Sequence, residues 1–165
     1  MSPGYPIRCY DFVDRPYPRV REALTRDAVA VFQQATRAAA SRAHSVAAAL
    51  HVKIGILDVT TEIDIEVTRV EDRSGTDTEP PRTVLHLEWA ATHRPHLFPL
   101  MRAELALYPL TGRETQLDFS GTYLPPLGML GEAIHALGGH RIADASVHRF
   151  LGDVAEYLRT RLPPD

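Results

Sequence analysis

The 165-residue chain is long enough for one globular domain that buries about two-thirds of its unfolded surface, and it is short for two full domains. Hydrophobic residues make up 44% and charged residues 24%, which excludes the composition of a disordered chain and predicts a single folded domain over residues 1–165. The net charge of −3 gives no electrostatic footprint for a phosphate backbone, so we expect no nucleic-acid partner.

Cysteine use and hydropathy predict a cytoplasmic protein. Cys9 is the only cysteine, so no disulfide can form within the chain, and the first residues contain no apolar run typical of a signal peptide. No segment approaches the roughly 18 consecutive apolar residues of a membrane-spanning helix. We therefore expect no membrane insertion.

The N-terminal part predicts one strand followed by two short helices. The segment YPIRCYDFVDRP mixes aromatic and β-favouring residues, and Pro18 fits the first turn of a short helix around Val20–Leu24. Thr25 or Asp27 offers an N-cap for a second helix that ends near Ser41. Its apolar stripe consists of Ala28, Val31, Phe32, Ala35 and Ala39.

The middle of the chain alternates with a period of two, which predicts an antiparallel sheet with one buried and one solvated face. The five predicted strands of this region cover residues 44–54, 59–68, 83–91, 101–108 and 116–123. Gly55 suggests a hairpin between the first two, and the polar segment 71–82 predicts a turn. Glu62, Asp64 and Glu66 lie on one side of their strand, the expected solvated face.

The C-terminal part returns to helical periodicity. A short helix is predicted over Leu127–Leu137, with Gly138 and Gly139 as a break. The stripe of the last helix consists of Val147, Phe150, Leu151, Val154, Leu158 and Leu162. Segregated strands and helices predict an α+β fold in which this long helix lies on the buried face of a curved, six-stranded antiparallel sheet.

The segment DFSGTYLPPLGMLGEAIHAL resembles the junction between the last strand and the final helix in the polyketide cyclase and dehydrase branch of the START-like superfamily, also called SRPBCC. The matching positions are Gly121, Tyr123, Pro125, Pro126, Leu127 and Gly128. The resemblance implies a helix-grip fold, with six to seven strands curled around the C-terminal helix. It also implies a cavity of the kind that holds lipids, sterols, aromatic polyketides or plant hormones in that superfamily.

Apolar side chains of the predicted inward faces are the candidate ligand-binding residues. They are Ile63, Leu85, Leu87, Trp89, Met101, Leu105, Leu117, Phe119, Tyr123, Val147, Phe150, Leu151 and Val154. Each of them could instead fill an ordinary core, because large apolar side chains are usually buried for packing alone. Tyr123 could orient a ligand carbonyl, act as a weak acid, or pack beneath the proline turn.

Motifs for catalysis and for metal or cofactor binding are missing. The eight histidines are scattered, no His-Glu-x-x-His or Cys-x-x-Cys spacing occurs, and no glycine-rich phosphate loop is present. Ser120 and Asp118 are two residues apart on a predicted polar strand face, which is typical of a surface pair. We therefore assign no catalytic residue, expect no metal and no cofactor, and expect a small apolar ligand as the partner.

Three functions stay open at the level of sequence. The first is binding of a small hydrophobic or lipid-like ligand between the sheet and the C-terminal helix. The second is a cyclase/aromatase-type enzyme that uses the same cavity, and the third is a protein-interaction module with a filled core. The inward-facing polar residues are few, which favours binding over catalysis; they are Thr61, Thr83, Thr115 and Tyr123.

Overall fold

Five strands and three helices make up the described part of the chain. The computed structural model describes residues 4–49, 63–91, 100–124 and 140–164. The strands are β1 (Tyr5–Val13), β2 (Ile63–Arg73), β3 (Arg82–Ala91), β4 (Leu100–Pro109) and β5 (Thr115–Leu124). The helices are α1 (Tyr17–Arg26), α2 (Ala28–Ala49) and α3 (His140–Arg161). The predicted hairpin at Gly55 and the predicted helix over Leu127–Leu137 lie outside the described residues.

The strands form one antiparallel sheet in the order β1-β5-β4-β3-β2. Of the described strands, β1 therefore pairs with β5, and from β5 to β2 each strand is hydrogen-bonded to the strand before it in the sequence. The predicted α+β class is confirmed by this sheet and its segregated helices.

The strand count is lower than predicted, because the described residues contain five strands rather than six to seven. The sequence predicts a strand over residues 44–54, but the chain stays helical to Ala49, so α2 has 22 residues and is not short. Alanine is the strongest helix former, and the alanines at 47–49 therefore favour continuation of α2 over a strand. Residues 50–54 lie outside the described part.

The two faces of the sheet differ as the period of two predicts. Towards α2 and α3 lies the inner face, whose buried side chains include Ile65, Leu85, Leu87, Trp89, Ala103, Leu105, Leu107, Leu117 and Phe119. The outer face presents Arg69, His86, Arg102 and Glu104. Burial of the apolar side chains on one face supplies the main driving force for folding.

Two helices, not one, cover the inner face. Helix α3 packs against β1, helix α2 packs against β2, and the two helices pack against each other. The predicted stripe of α3 is confirmed up to Leu158, since Val147, Phe150, Leu151, Val154 and Leu158 are all buried, whereas Leu162 lies beyond the end of the helix and is half-buried. Among the described residues, no helix combines the length and the apolar character needed to cross a bilayer.

Strand β2 contains a bulge and is longer than predicted. Its register against β3 shifts between Val67 and Arg69, and the strand then continues to Arg73. The predicted turn over residues 71–82 is therefore shorter, with the N–H of Thr76 donating to the carbonyl of Glu79 at 2.8 Å. The bulge breaks the alternation that marks the strand in the sequence.

Arg15, which follows β1, links the C-terminal end of α3 to β5 through hydrogen bonds. Its guanidinium donates to the carbonyl of Leu162 at 2.7 Å and to that of Arg159 at 2.9 Å. The last carbonyls of a helix have no partner within it, and a cation there also complements the helix dipole. The Arg15 carbonyl in turn accepts a hydrogen bond from the Thr115 hydroxyl at 2.8 Å.

Candidate functional site

The predicted ligand-binding residues that the structure describes lie on the inner face and on the facing stripe of α3. Ten of them are buried: Leu85, Leu87, Trp89, Leu105, Leu117, Phe119, Val147, Phe150, Leu151 and Val154. The backbones of Ile63, Met101 and Tyr123 lie in β2, β4 and β5, and their side chains are outside the described part. The structure thus brings most of the predicted set into one apolar layer.

Strand register aligns three residues of the predicted set, Trp89, Met101 and Tyr123, in one row across the sheet. Trp89 is opposite Ile65 on one side and Met101 on the other, Met101 is opposite Tyr123, and Tyr123 is opposite Tyr5. We call these five positions the Trp89 row. Ile63 is not in it, because it pairs with Ala91.

Four aromatic rings form a cluster that joins the sheet to both covering helices. The ring of Phe150 in α3 lies 5.1 Å from Trp89 and 5.9 Å from Phe119, both edge-on. The same Phe150 ring stacks on Phe32 of α2 at 5.9 Å. Edge-to-face and offset arrangements at these distances are favourable beyond the area that they bury. The four rings therefore fill the space between the sheet and the two helices around Phe150.

The orientation of Trp89 is fixed by a hydrogen bond to α2. Its indole Nε1–H donates to the Thr36 hydroxyl at 2.9 Å, and that hydroxyl donates to the carbonyl of Phe32 at 2.7 Å. Phe32 and Thr36 are absent from the sequence-based site because the resemblance places the C-terminal helix, and not α2, against the cavity. The sequence does hold one signal for this contact: Thr36 comes four residues after Phe32, beside the apolar stripe of α2.

Exposure of the inner face changes along the strands. Leu85, Leu105 and Phe119 are 0% exposed, and they seal the middle of the layer. Ile65 and Trp89, both in the Trp89 row, are each 8% exposed. Ile65 and Trp89 are therefore slightly more exposed than these three residues, while Val70, opposite Leu85 at the far end of β2, is 44% exposed.

The buried polar residues among those described are Arg15, Thr36, Thr83 and Thr115. Each of their side chains is bonded to other protein groups: Arg15 to the end of α3, Thr36 between Trp89 and Phe32, and Thr115 to Arg15. In the described part, every buried side-chain nitrogen or oxygen has a hydrogen-bond partner.

Thr83 belongs to a polar chain at the end of the inner face that lies away from the Trp89 row. It donates to Asp72 Oδ1 at 2.7 Å, so the Tyr17 hydroxyl, 2.5 Å away, donates to Thr83. The Arg21 guanidinium binds both oxygens of Asp72, at 2.8 and 2.6 Å. The hydrogen bonds from Arg21 and Thr83 lower the pKa of Asp72 to about 2. This chain ties α1 to β2 and β3.

The outer face carries ion pairs rather than a metal site. His86 has a carboxylate near each ring nitrogen, with Glu71 at 3.4 Å and Glu104 at 3.6 Å, and Arg102 pairs with Glu88 at 2.7 Å. An open groove of about 490 Å³ crosses this face above Ser120 and Thr122. In the described ranges no group of three or more metal-ligating side chains comes together.

Comparisons with solved structures show a similar fold. No protein-family model and no curated protein matches the sequence. A crystal structure of a protein from Thermus thermophilus has a TM-score of 0.50 and 13% identity, over 96% of this chain and 100% of that chain. At this identity the similarity shows the fold alone.

Two further solved structures have lower scores. A hypothetical protein of Helicobacter pylori has a TM-score of 0.45 and 8% identity, over 94% of this chain and 88% of that one. The Zhui aromatase/cyclase of Streptomyces sp. R1128 has a TM-score of 0.40 and 14% identity, over 95% of this chain and 96% of that one. Neither score is high enough to carry an argument about function.

Proposed function

We propose that this chain is a START-like protein that binds a small hydrophobic ligand between the inner face and the helices, at the Trp89 row. The observation that carries the proposal is the assembly of the predicted apolar residues of the sheet and of α3 in one layer, in which Ile65 and Trp89 keep 8% exposure while Leu105 and Phe119 are 0% exposed. The aromatic cluster forms the floor of such a site. The row itself supplies apolar and aromatic positions in register, as ligand pockets usually do.

The ligand expected from this lining is uncharged and largely apolar. The described residues around Trp89 are aromatic or aliphatic, and the one polar group beside it, the Thr36 hydroxyl, is already bonded to Trp89 and Phe32. A buried charge without a partner is strongly disfavoured. Of the two tyrosines in the row, Tyr123 and Tyr5, we expect Tyr123, opposite Met101, to orient a ligand carbonyl.

Binding is favoured over cyclase-type catalysis. General acid-base catalysis needs a titratable group within hydrogen-bond reach of the substrate. In the described part of the inner layer, the buried polar side chains are three threonines and Arg15, and all four are engaged in structural hydrogen bonds. Conversion of the ligand would thus depend on groups outside this set.

A fluorescence titration tests the proposal, because Trp89 is the only tryptophan in the chain. The probe is the neutral dye N-phenyl-1-naphthylamine, whose absorption overlaps tryptophan emission. We expect saturable binding of one dye per chain with energy transfer from Trp89. Absence of saturable binding would overturn the proposal, and so would one-to-one binding without energy transfer, since the dye would then lie elsewhere.

Two variants on the same strand locate the site. Ile65→Thr keeps the β-branched shape but adds a hydroxyl to the inner face, and it should weaken dye binding about fivefold. Glu66→Gln changes the next residue, which is exposed on the outer face, and it should leave binding unchanged. Equal affinities for the two variants would contradict a site at the Trp89 row. Circular dichroism of both variants confirms that they remain folded.

A further inference from the structure

Among the described strands, β1 lies at one edge of the sheet and pairs only with β5. In an antiparallel strand the N–H and C=O of one residue point to the same side, and successive residues alternate. The N–H of Phe12 donates to Asp11 Oδ1 at 2.7 Å, and its carbonyl accepts from Arg159 at 2.6 Å. Phe12 therefore faces the free edge, and the alternation places Arg8 and Tyr10 there as well.

The backbone groups along the free edge of β1 differ in their hydrogen-bond partners. Phe12 is satisfied by Asp11 and Arg159, and Pro6, which also faces the edge, has no N–H. Among residues 4–49, 63–91, 100–124 and 140–164, no hydrogen-bond partner exists for the edge-facing backbone groups of Arg8 and Tyr10. We call the segment Arg8–Tyr10 the edge window.

A groove that extends over the outer face borders the edge window. This open groove of about 720 Å³ is lined by Arg8, Cys9, Tyr10, Tyr108, Gln116, Asp118 and His148. Tyr10 is 76% exposed, although aromatic residues are usually covered. An exposed strand edge with unpaired backbone groups is a template for pairing with another strand.

We propose that the edge window pairs antiparallel with the edge window of a second copy of this chain, about a two-fold axis at Cys9. In this register Arg8 is opposite Tyr10 of the second copy, and Tyr10 is opposite its Arg8. Both residues face the edge, so the two pairs form four backbone hydrogen bonds and satisfy every open group of both windows. A two-fold axis requires such a self-complementary surface.

The neighbouring registers fit less well. A register that places Arg8 opposite the second copy's Arg8 puts like charges together, which is destabilising, and sets Tyr10 against Pro6, which cannot donate to the Tyr10 carbonyl. A register that places Tyr10 opposite itself sets Arg8 against Phe12, whose groups are already bonded. Backbone hydrogen bonding and the avoidance of like charges therefore favour the same register, with Arg8 opposite Tyr10.

Side chains of the outer face complement each other in the selected register. The second copy's Arg8 lies beside the exposed ring of Tyr10, which suits a cation–π contact. Asp118 is opposite Tyr10 on β5, so it adds a carboxylate to the same row. Each copy thus contributes Asp118 and Tyr10 to a row that ends in Arg8 of the other copy, and the two-fold axis gives two such rows.

Sedimentation velocity with one variant and a matched control tests the proposal. Tyr10→Pro removes an N–H that faces away from β5, and proline is tolerated on an edge strand in that orientation. Tyr10→Ala also removes the ring but keeps the N–H. We expect a wild-type dimer at about 100 µM, and a dissociation constant at least about tenfold higher for Tyr10→Pro than for Tyr10→Ala.

A wild-type monomer at this concentration would overturn the proposal, and so would equal dissociation constants for the two variants. A monomer that captures an extended peptide along β1 also overturns it, because the occupant is then not a second copy.

Amide hydrogen exchange of the wild-type protein gives a readout that needs no variant. Protection of the Arg8 and Tyr10 amides should rise with protein concentration, whereas that of Cys9, whose N–H faces β5, should not. Concentration-independent exchange at Arg8 and Tyr10 contradicts the pairing.

Discussion

Asp72 shows how neighbouring donors set the charge of a single side chain. The hydrogen bonds from Arg21 and Thr83 hold its pKa at about 2, below the ordinary value of 3.8. A carboxyl whose pKa is lower in the folded state stabilises that state when it is charged. The stabilisation is complete above pH 3.8 and disappears as the pH falls towards 2.

This difference predicts the pH dependence of an Asp72→Asn variant. Urea unfolding of the wild type and the variant between pH 5 and pH 2 should show a stability difference that is largest at pH 5 and shrinks as Asp72 becomes protonated. Asp77→Asn, in the exposed turn after β2, is the control and should show little difference at any pH. A pH-independent difference for Asp72→Asn would contradict the interpretation.

Gly121 gives a second prediction for one residue. A Cβ at this position would lie 3.1 Å from the Ala103 Cβ, 3.1 Å from Phe119 Cε1 and 3.2 Å from the Arg102 carbonyl oxygen. Phe119 is held by two other rings, and Ala103 lies in a central strand, so neither can move away cheaply. We expect Gly121→Ala to lower the free energy of unfolding by about 1–3 kcal/mol, the usual cost of overpacking.

The matched control for this prediction is Gly112→Ala. A Cβ at Gly112, in the turn before β5, would meet no atom of the described residues within 4 Å. Its unfolding free energy should stay within about 0.5 kcal/mol of the wild type. Denaturant unfolding of both variants checks the pair, and a Gly121→Ala protein as stable as Gly112→Ala would show that the sheet can relax there.

Helix α3 depends on a residue that is far from it in the sequence. Arg15 is 6% exposed and donates to two carbonyls at the end of α3. Arg15→Met keeps an apolar stem of similar length but leaves these carbonyls without their charged donor. We expect a loss of about 2–3 kcal/mol, the range for hydrogen bonds to charged groups plus unpaired buried acceptors.

Chemical denaturation measures this loss, and Arg26→Met is the control. Arg26 is exposed and pairs with Glu22 at 3.6 Å, an (i, i+4) surface contact worth about 0.3–0.5 kcal/mol. Equal destabilisation by the two substitutions would contradict the role of Arg15. Amide exchange in the last turn of α3 should quicken only in Arg15→Met.

At the scale of elements, local periodicity predicts which side chains face inwards but not where every element ends. The stripe of α3 and the inner faces of β3, β4 and β5 follow from spacings of 3.6 and 2 residues, and they are confirmed. The predicted end of α2 is wrong because alanine at 47–49 carries no face preference. The predicted end of β2 is wrong because a bulge interrupts its alternation.

At the scale of the whole molecule, the relations between elements could not be predicted. The Trp89 row depends on strand register, which turn geometry and packing determine together. The ring contact between Phe32 and Phe150 depends on α2 lying beside α3, and no local pattern specifies that. The sequence therefore predicts the composition of the inner layer, whereas its arrangement around Trp89 comes from tertiary packing.

The bulge in β2 reverses which residues of the strand face inwards, from odd-numbered before it to even-numbered after it. Before it, Ile65 and Val67 share the inner face with Trp89 and Leu87; after it, the even-numbered Asp72 is opposite Thr83 on that same face. Under strict alternation from Ile65, Glu71 and Arg73 would point inwards and Asp72 outwards. One extra residue in β2 thus decides that an aspartate, and not a glutamate or an arginine, meets the Thr83 hydroxyl, and so allows Arg21 of α1 to find a carboxylate there.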